Sequence, residues 1–343
     1  MVTATDVRTA LTTIDDSKWA DSDISSVREI EEGVNDTFTV TIDRDGTTTP
    51  DSDCLIVKFA TISRPGSFRA GVAAYRLLST YTDLPVPEIY SFSAGTTELP
   101  AFYVAEYLPG NPPDDPTAPL TPVTARTVGR VIDGFASIPA SSADGYGTIR
   151  EWDGSEPSQA CAEYNDFSTW LVEYAEKLYE DPPAHDQLER VAPDVPAFIR
   201  SNRDQLPSTP DPSVVVTDFR TDNLLVTDNF PETDRVPAAE ETKDGVPELS
   251  GVVDLERAKI GPAGFTAVNA EYLMTRGVDD PEPLVDALYA PLPFGPDIPT
   301  RELYWLVAMG RSVYSLDHWY ERGTEQYKRR GDVIASTMEQ IIN

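Results

Sequence analysis

Two apolar runs, Val214-Val215-Val216 and Leu224-Leu225-Val226, flank the polar segment Asp218-Phe219-Arg220-Thr221-Asp222-Asn223. Strands on both sides would fix the carboxylate of Asp218 and the amide of Asn223 on one rigid loop. Phosphoryl transfer needs such a pair: a carboxylate to orient the attacking hydroxyl, and an oxygen ligand for magnesium. About 30 residues on, Gly251-Val252-Val253-Asp254-Leu255-Glu256 sets a second Asp at the end of an apolar strand. There it could bridge a metal ion to phosphate oxygens. Taken alone, each signal has a plain alternative: an Asx-rich turn for Asp218 to Asn223, and a strand-end cap for Asp254.

The elements that must position these residues change character along the chain. The first third reads as strand: Thr37 to Ile42 alternates apolar and polar residues, and Cys54 to Ala60 is a second apolar run carrying Lys58. Asp45-Gly46 marks a turn between them. Phe68 to Thr80 carries Val72, Tyr75 and Leu78 at helical spacing, and Ala101 to Ala105 is a third strand. It runs into Leu108-Pro109-Gly110-Asn111-Pro112-Pro113, the strongest linker signal in the chain. Beyond it the pattern is helical. Thr121 is an N-cap candidate with Pro122 at the first helical position, and further helices are expected near 159–180, 184–205, 281–289, 300–318 and 323–341. The acidic stretch 228–250 reads as a solvated loop. Together these give an α+β pattern in two lobes: residues 1–105 an antiparallel-sheet lobe, 106–113 a hinge, and 114–343 a mainly helical lobe holding the candidate chemistry.

Asp218-x4-Asn223 followed by Gly-Val-Val-Asp-Leu-Glu resembles the catalytic and metal motifs of the aminoglycoside phosphotransferase and choline kinase family, relatives of the protein kinases. The likeness extends upstream. Glu32-Gly33-Val34-Asn35-Asp36-Thr37-Phe38 is similar to the family's nucleotide-covering hairpin, Ile56-Val57-Lys58-Phe59 to its phosphate-binding lysine strand, and Phe102 to Gly110 to its adenine-contacting hinge. The resemblance implies a two-lobed protein kinase-like fold that uses ATP and Mg2+ to phosphorylate a hydroxyl group of a small molecule. It implies Asp218 as the catalytic carboxylate and Asn223 and Asp254 as magnesium ligands. Lys58 falls on the α/β-phosphates, with Gly33, Asn35 and Asp36 covering the nucleotide and Glu106 to Leu108 meeting the adenine edge. Arg220 stands where protein kinases place a lysine against the transferring phosphate, and a guanidinium fork suits that place.

Three departures from the family pattern bear on activity. A helix glutamate that pairs with the strand lysine is replaced by Gly71, and no Asp or Glu occurs from Phe59 to Thr82, so Lys58 lacks its expected partner unless a distant carboxylate replaces it. The His-Gly before the catalytic Asp is replaced by Val216-Thr217, and Thr266 stands where a further Asp is expected. A second reading therefore accompanies the kinase: a catalytically weak or inactive nucleotide- or metabolite-binding protein, in which Gly71→Glu would restore affinity. A third is a scaffold docking through 228–250.

Composition narrows the partners. The 343 residues carry 58 Asp+Glu against 27 Lys+Arg, a formal net charge of −31, and only six of the basic residues are lysines. Nucleic acid needs basic stripes and anionic membranes repel such a surface, so neither is expected as a partner. Abundant Asp with few Lys in a chain of 40% hydrophobic residues fits a folded protein of concentrated salt, a halophilic type in which screening relieves self-repulsion. Two cysteines, Cys54 and Cys161, make no disulfide framework or metal site. His185 and His318 are expected to be solvated. With no apolar stretch of about 18 residues, a cytoplasmic protein is expected.

Overall fold

The computed structural model describes residues 2–14, 23–30, 35–43, 54–113, 120–153, 159–227 and 248–343. In chain order the elements are α1 (Ala4–Leu11), β1 (Asp23–Ile30), β2 (Asp36–Asp43), β3 (Cys54–Phe59), α2 (Pro65–Tyr81), β4 (Ile89–Ser93), β5 (Phe102–Glu106) and α3 (Pro122–Ala136). There follow β6 (Ala143–Asp144), β7 (Tyr146–Asp153), β8 (Gln159–Tyr164), α4 (Phe167–Leu178), α5 (Asp186–Val191), α6 (Asp194–Ser201), β9 (Ser213–Val215), β10 (Leu224–Val226) and β11 (Leu249–Val252). The chain ends with β12 (Lys259–Gly261), α7 (Ala263–Thr275), α8 (Glu282–Tyr289), α9 (Arg301–Tyr314), α10 (Leu316–Trp319) and α11 (Glu325–Ile342). This is the expected α+β architecture, an antiparallel-sheet N-terminal lobe and a helical C-terminal lobe. By contact density the chain divides into two compact units. One comprises Met1–Pro116, Thr148–Cys161 and Thr221–Lys259, and the other Thr117–Gly147, Ala162–Arg220 and Ile260–Asn343.

The first unit is built on a five-stranded sheet in the order β1-β2-β3-β5-β4, every pair antiparallel. Strand alternation decides which side chain faces which layer. In β3, Leu55, Val57 and Phe59 point into a core with Phe38, Val40, Phe102 and Val104 and with Val7 and Ala10 of α1. Lys58, one residue out of phase, turns to the other face beside Thr37 of β2 and Tyr103 of β5. There Tyr103 packs against Phe68 and Tyr75 of α2, with ring centroids 5.4 and 6.3 Å away.

The second unit is a helical core in which Phe167, Trp170, Phe265 and Tyr304 interlock edge to face and tilted. Trp170 stacks on Tyr174 at 5.2 Å, so packing is its role. Glu271 of α7, 1% exposed, is held by the guanidinium of Arg301 and by the Tyr289 hydroxyl, which donates at 2.9 Å. A buried carboxylate needs such partners, and these join α7, α8 and the start of α9.

Several expectations are met in detail. Thr121 caps α3, its hydroxyl accepting from the Thr124 amide, with Pro122 opening the helix. Elsewhere the structure differs. The stretch 159–180 is strand β8 and then α4, because Asp166 caps the helix by accepting from the Thr169 amide at 2.6 Å. Pro193 divides 184–205 into α5 and α6. His185 is not solvated: it is 7% exposed and caps α5 by accepting from the Leu188 amide. The Asp45-Gly46 turn and all but the end of 228–250 lie outside the described residues.

Candidate active site

Lys58 is the centre of the first unit's polar cluster. Its Nζ lies 2.7 Å from Asp254 Oδ1 and 2.6 Å from Glu256 Oε1. Glu256, its side chain 6% exposed, also accepts from the Tyr103 hydroxyl at 3.0 Å. The Leu255 amide between the two acids donates to the Tyr75 hydroxyl at 3.2 Å. Thus β3, β5 and α2 all grip the short segment 254–256, although about 150 residues or more separate them in sequence.

The carboxylate that the sequence lacks on α2 is supplied here by Glu256. A Cβ on Gly71 would lie 3.1 Å from the Glu256 Cα and 3.2 Å from the Leu255 carbonyl oxygen, closer than the backbone there can tolerate without moving. The glycine is therefore the vacancy that lets segment 254–256 press against α2 and reach Lys58. The expectation that Gly71→Glu restores a missing partner is corrected: the place is filled. Gly71→Glu is expected to destabilise the fold by about 2 kcal/mol through overpacking, read as a lower midpoint in chemical denaturation. An unchanged midpoint would contradict this packing.

The charges are mutually set. Burial disfavours the Lys58 ammonium, but the pull of Glu256 and then Asp254 outweighs it and raises the lysine's pKa. Burial and the neighbouring Asp254 push Glu256 up. Burial works the same way on Asp254, yet its hydrogen bond with Glu256 and the charge of Lys58 hold it below the usual carboxylate range. Asp254 therefore ionises before Glu256. It is also 55% exposed and adopts φ +60°, a left-handed conformation that Asp tolerates better than most residues.

Asn223 is brought beside it. Strands β10 and β11 pair with Leu224 opposite Val252, and the Val253 amide donates to the Asn223 carbonyl at 2.8 Å. The two candidate magnesium ligands therefore leave neighbouring positions of one ribbon. The hinge is tied to that ribbon: Asn111 and Val226 exchange backbone hydrogen bonds at 3.1 and 2.8 Å, and the Ser250 hydroxyl donates to the Pro109 carbonyl. Gly251 leaves room for Leu108, whose Cδ1 lies 3.0 Å from where a Cβ would stand. The Glu106 amide donates to the Glu88 carbonyl, continuing the sheet into the hinge.

Donor chemistry suits magnesium. Among the described residues no three His, Cys, Asp or Glu side chains gather to enclose a metal. A carboxylate and an amide oxygen, completed by phosphates and water, are the usual protein share of a magnesium site.

Asp218 and Arg220 belong to the second unit. Phe219 between them is buried against Phe135 with centroids 5.3 Å apart, which turns both charged side chains outward. Asp218 is 62% exposed, and its Oδ2 lies 3.3 Å from the guanidinium of Arg311 on α9. The Thr266 hydroxyl donates to the Val214 carbonyl at 3.5 Å. Arg311, Phe219 and Thr266 thus brace the segment whose family histidine and aspartate are absent.

Of the remaining candidates, Asn35 and Asp36 are engaged in local hydrogen bonds. Gly33 lies outside the described residues. The Asn35 side chain is occupied by Ser63 and the Ile62 amide, and Asp36 accepts from the Val2 amide and the Thr61 hydroxyl. Both side chains brace the turn after β3. Glu256 and Arg311 are the site residues that sequence reasoning missed. Glu256 stood two residues after Asp254, inside the quoted motif, whereas Arg311 carried no local signal.

Against known proteins, the profile of the Phosphotransferase enzyme family (APH) matches residues 26–297. A search of the curated proteins found no match. Among solved structures, the chain resembles aminoglycoside phosphotransferase APH(4)-Ia with a TM-score of 0.65 at 17% identity, over 98% of this chain and 99% of that one. It also resembles a thermostable mutant of that enzyme in a ternary complex with AMP-PNP and hygromycin B, with a TM-score of 0.62 at 17% identity over 92% and 95% of the two chains. The GDP and kanamycin complex of APH(2")-IIia gives a TM-score of 0.56 at 14% identity, over 96% and 98%. At such identities the structures speak for the fold, while the profile spans most of the chain: this protein belongs to the phosphotransferase enzyme family.

Proposed function

We propose that this chain transfers the γ-phosphate of ATP, with Mg2+, to a hydroxyl group of a small molecule. The observation that carries the reading is Lys58 held between Asp254 and Glu256 at 2.7 and 2.6 Å, an ammonium fixed beside an ionised, accessible carboxylate. Asn223 and Asp254 would hold the metal, and Lys58 would hold the α- and β-phosphates. Bound magnesium neutralises the charge that develops between the β- and γ-phosphates. Asp218 would accept the proton of the attacking hydroxyl, kept outward by Phe219 and oriented by Arg311. Arg220, two residues on, would meet the transferring phosphate through its fork. The absence that favoured an inactive protein, a lysine without a carboxylate, does not hold, since Glu256 provides one.

The size of the net charge favours small acceptors over nucleic acid or membrane surfaces. Among the described residues no helix is long and apolar enough to cross a membrane. The test is a titration of ATP and GTP by calorimetry in concentrated KCl, with and without Mg2+, followed by ADP release in the presence of hydroxyl compounds. Saturable, magnesium-dependent binding and acceptor-stimulated release are expected. No binding at millimolar nucleotide would overturn the reading.

A further inference from the structure

Among the described residues, Asp254 and Arg257 are the only non-glycine residues with positive φ, at +60° and +69°. A left-handed backbone is costly for a residue with a Cβ and persists only where its surroundings hold it. These two residues flank Leu255 and Glu256, so the turn that aims the Asp254 carboxylate depends on what grips the segment.

The grip comes from one stripe of α2. Ser67, Gly71 and Tyr75 recur every four residues and so lie on one face of the helix. The Ser67 carbonyl accepts from the Arg257 amide at 3.2 Å, the open surface of Gly71 meets the Glu256 backbone, and the Tyr75 hydroxyl accepts from the Leu255 amide at 3.2 Å. Leu255 is fully buried, so that hydroxyl answers its amide in place of water. From β5 the Tyr103 hydroxyl donates to Glu256 Oε1 at 3.0 Å, the same oxygen that meets Lys58 Nζ at 2.6 Å. Packing alone asks for neither hydroxyl. Phe68 fills the same layer as a plain ring, its centroid 5.4 Å from that of Tyr103, and a buried hydroxyl is a cost unless it is used. Tyr75 and Tyr103 are both buried, and both hydroxyls land on the two residues between Asp254 and Arg257.

We propose that Tyr75 and Tyr103 are positioning residues of the phosphate site, Tyr75 fixing through the Leu255 amide the left-handed turn that aims Asp254, and Tyr103 fixing through Glu256 the place of the Lys58 ammonium. This rests on the phosphotransfer reading, in which Asp254 holds magnesium and Lys58 holds phosphate. Both tyrosines act through another residue, and their signatures differ. Loss of the Tyr75 hydroxyl is felt through the metal, whereas loss of the Tyr103 hydroxyl is felt through the lysine whether or not metal is bound.

The test is calorimetric titration of ATP on the full chain in concentrated KCl, over a range of Mg2+ concentrations and with none, for Tyr75→Phe and Tyr103→Phe. Phenylalanine keeps both rings in place. Tyr75→Phe is expected to raise the Mg2+ concentration for half-maximal ATP binding about tenfold, while affinity for metal-free ATP stays within about a factor of two. Tyr103→Phe is expected to weaken ATP about tenfold with and without Mg2+, and to add little once Glu256 is replaced by Gln, because it works through that carboxylate. Unchanged ATP and Mg2+ responses in both variants would overturn the inference. So would a Tyr75→Phe loss indifferent to Mg2+, or a Tyr103→Phe loss that adds in full to that of Glu256→Gln, since a packing role alone has those outcomes. No ATP binding by the unaltered protein would overturn the phosphotransfer reading and this inference with it. Binding by the unaltered protein with unchanged variants overturns this inference alone.

Discussion

Asp218→Asn is expected to lower phosphate transfer about 10³-fold while nucleotide binding stays within a factor of two. General-base catalysis contributes about 10² to 10⁴, and this carboxylate is 62% exposed on a loop set by the buried Phe219. The substitution keeps shape and hydrogen bonding but removes the proton acceptor. Asp218 pairs with Arg311 on another element of the same unit, whereas Lys58, Asp254 and Glu256 belong to the other unit. Single-turnover measurement of ADP formation, beside a calorimetric titration, separates the two effects. A variant that keeps more than a tenth of the rate would remove Asp218 from the chemistry.

The second large effect is expected at Glu256. Replacing it by Gln or Ala leaves Lys58 with one carboxylate, Asp254, which is then drawn wholly to the lysine instead of the metal. The Tyr103 hydroxyl also loses its acceptor at 3.0 Å. Misplacing a phosphate-binding group by about an ångström can cost about 10²-fold, so MgATP affinity and turnover should both fall by roughly that factor in Glu256→Ala. Glu256 acts on phosphate only through Lys58 and is a positioning residue. Its signature is that removing Mg2+ or changing the acceptor leaves the deficit in nucleotide affinity unaltered. A deficit confined to thermal stability would reduce Glu256 to a packing role.

Much of this was legible in the chain. The alternation in β3 gave Lys58 a face of its own, and the runs around Asp218 and Asp254 became strand ends as their β-branched composition required. Local period and capping chemistry act within a few residues, so α2, α3 and the central strands could be read directly. What could not be read depended on contacts between distant positions. Gly71 reads as a loss because the family pattern puts the lysine's carboxylate on that helix, and a distant replacement leaves no local signal. The sequence carries no mark that Glu256, about 200 residues after Lys58, would reach it across a glycine with no Cβ. Arg311 was invisible for the same reason. His185 misled through its polar neighbours, since an N-cap in a packed corner is buried by tertiary contacts and not by local hydrophobicity.

Whether Glu256 positions Lys58 is tested most directly by a double-mutant cycle of Lys58→Met and Glu256→Gln on MgATP affinity. If one residue works through the other, the second substitution adds little once the first is made, with a coupling of about 1–3 kcal/mol. Additive losses from the two substitutions would contradict it and return Lys58 to a search for another partner.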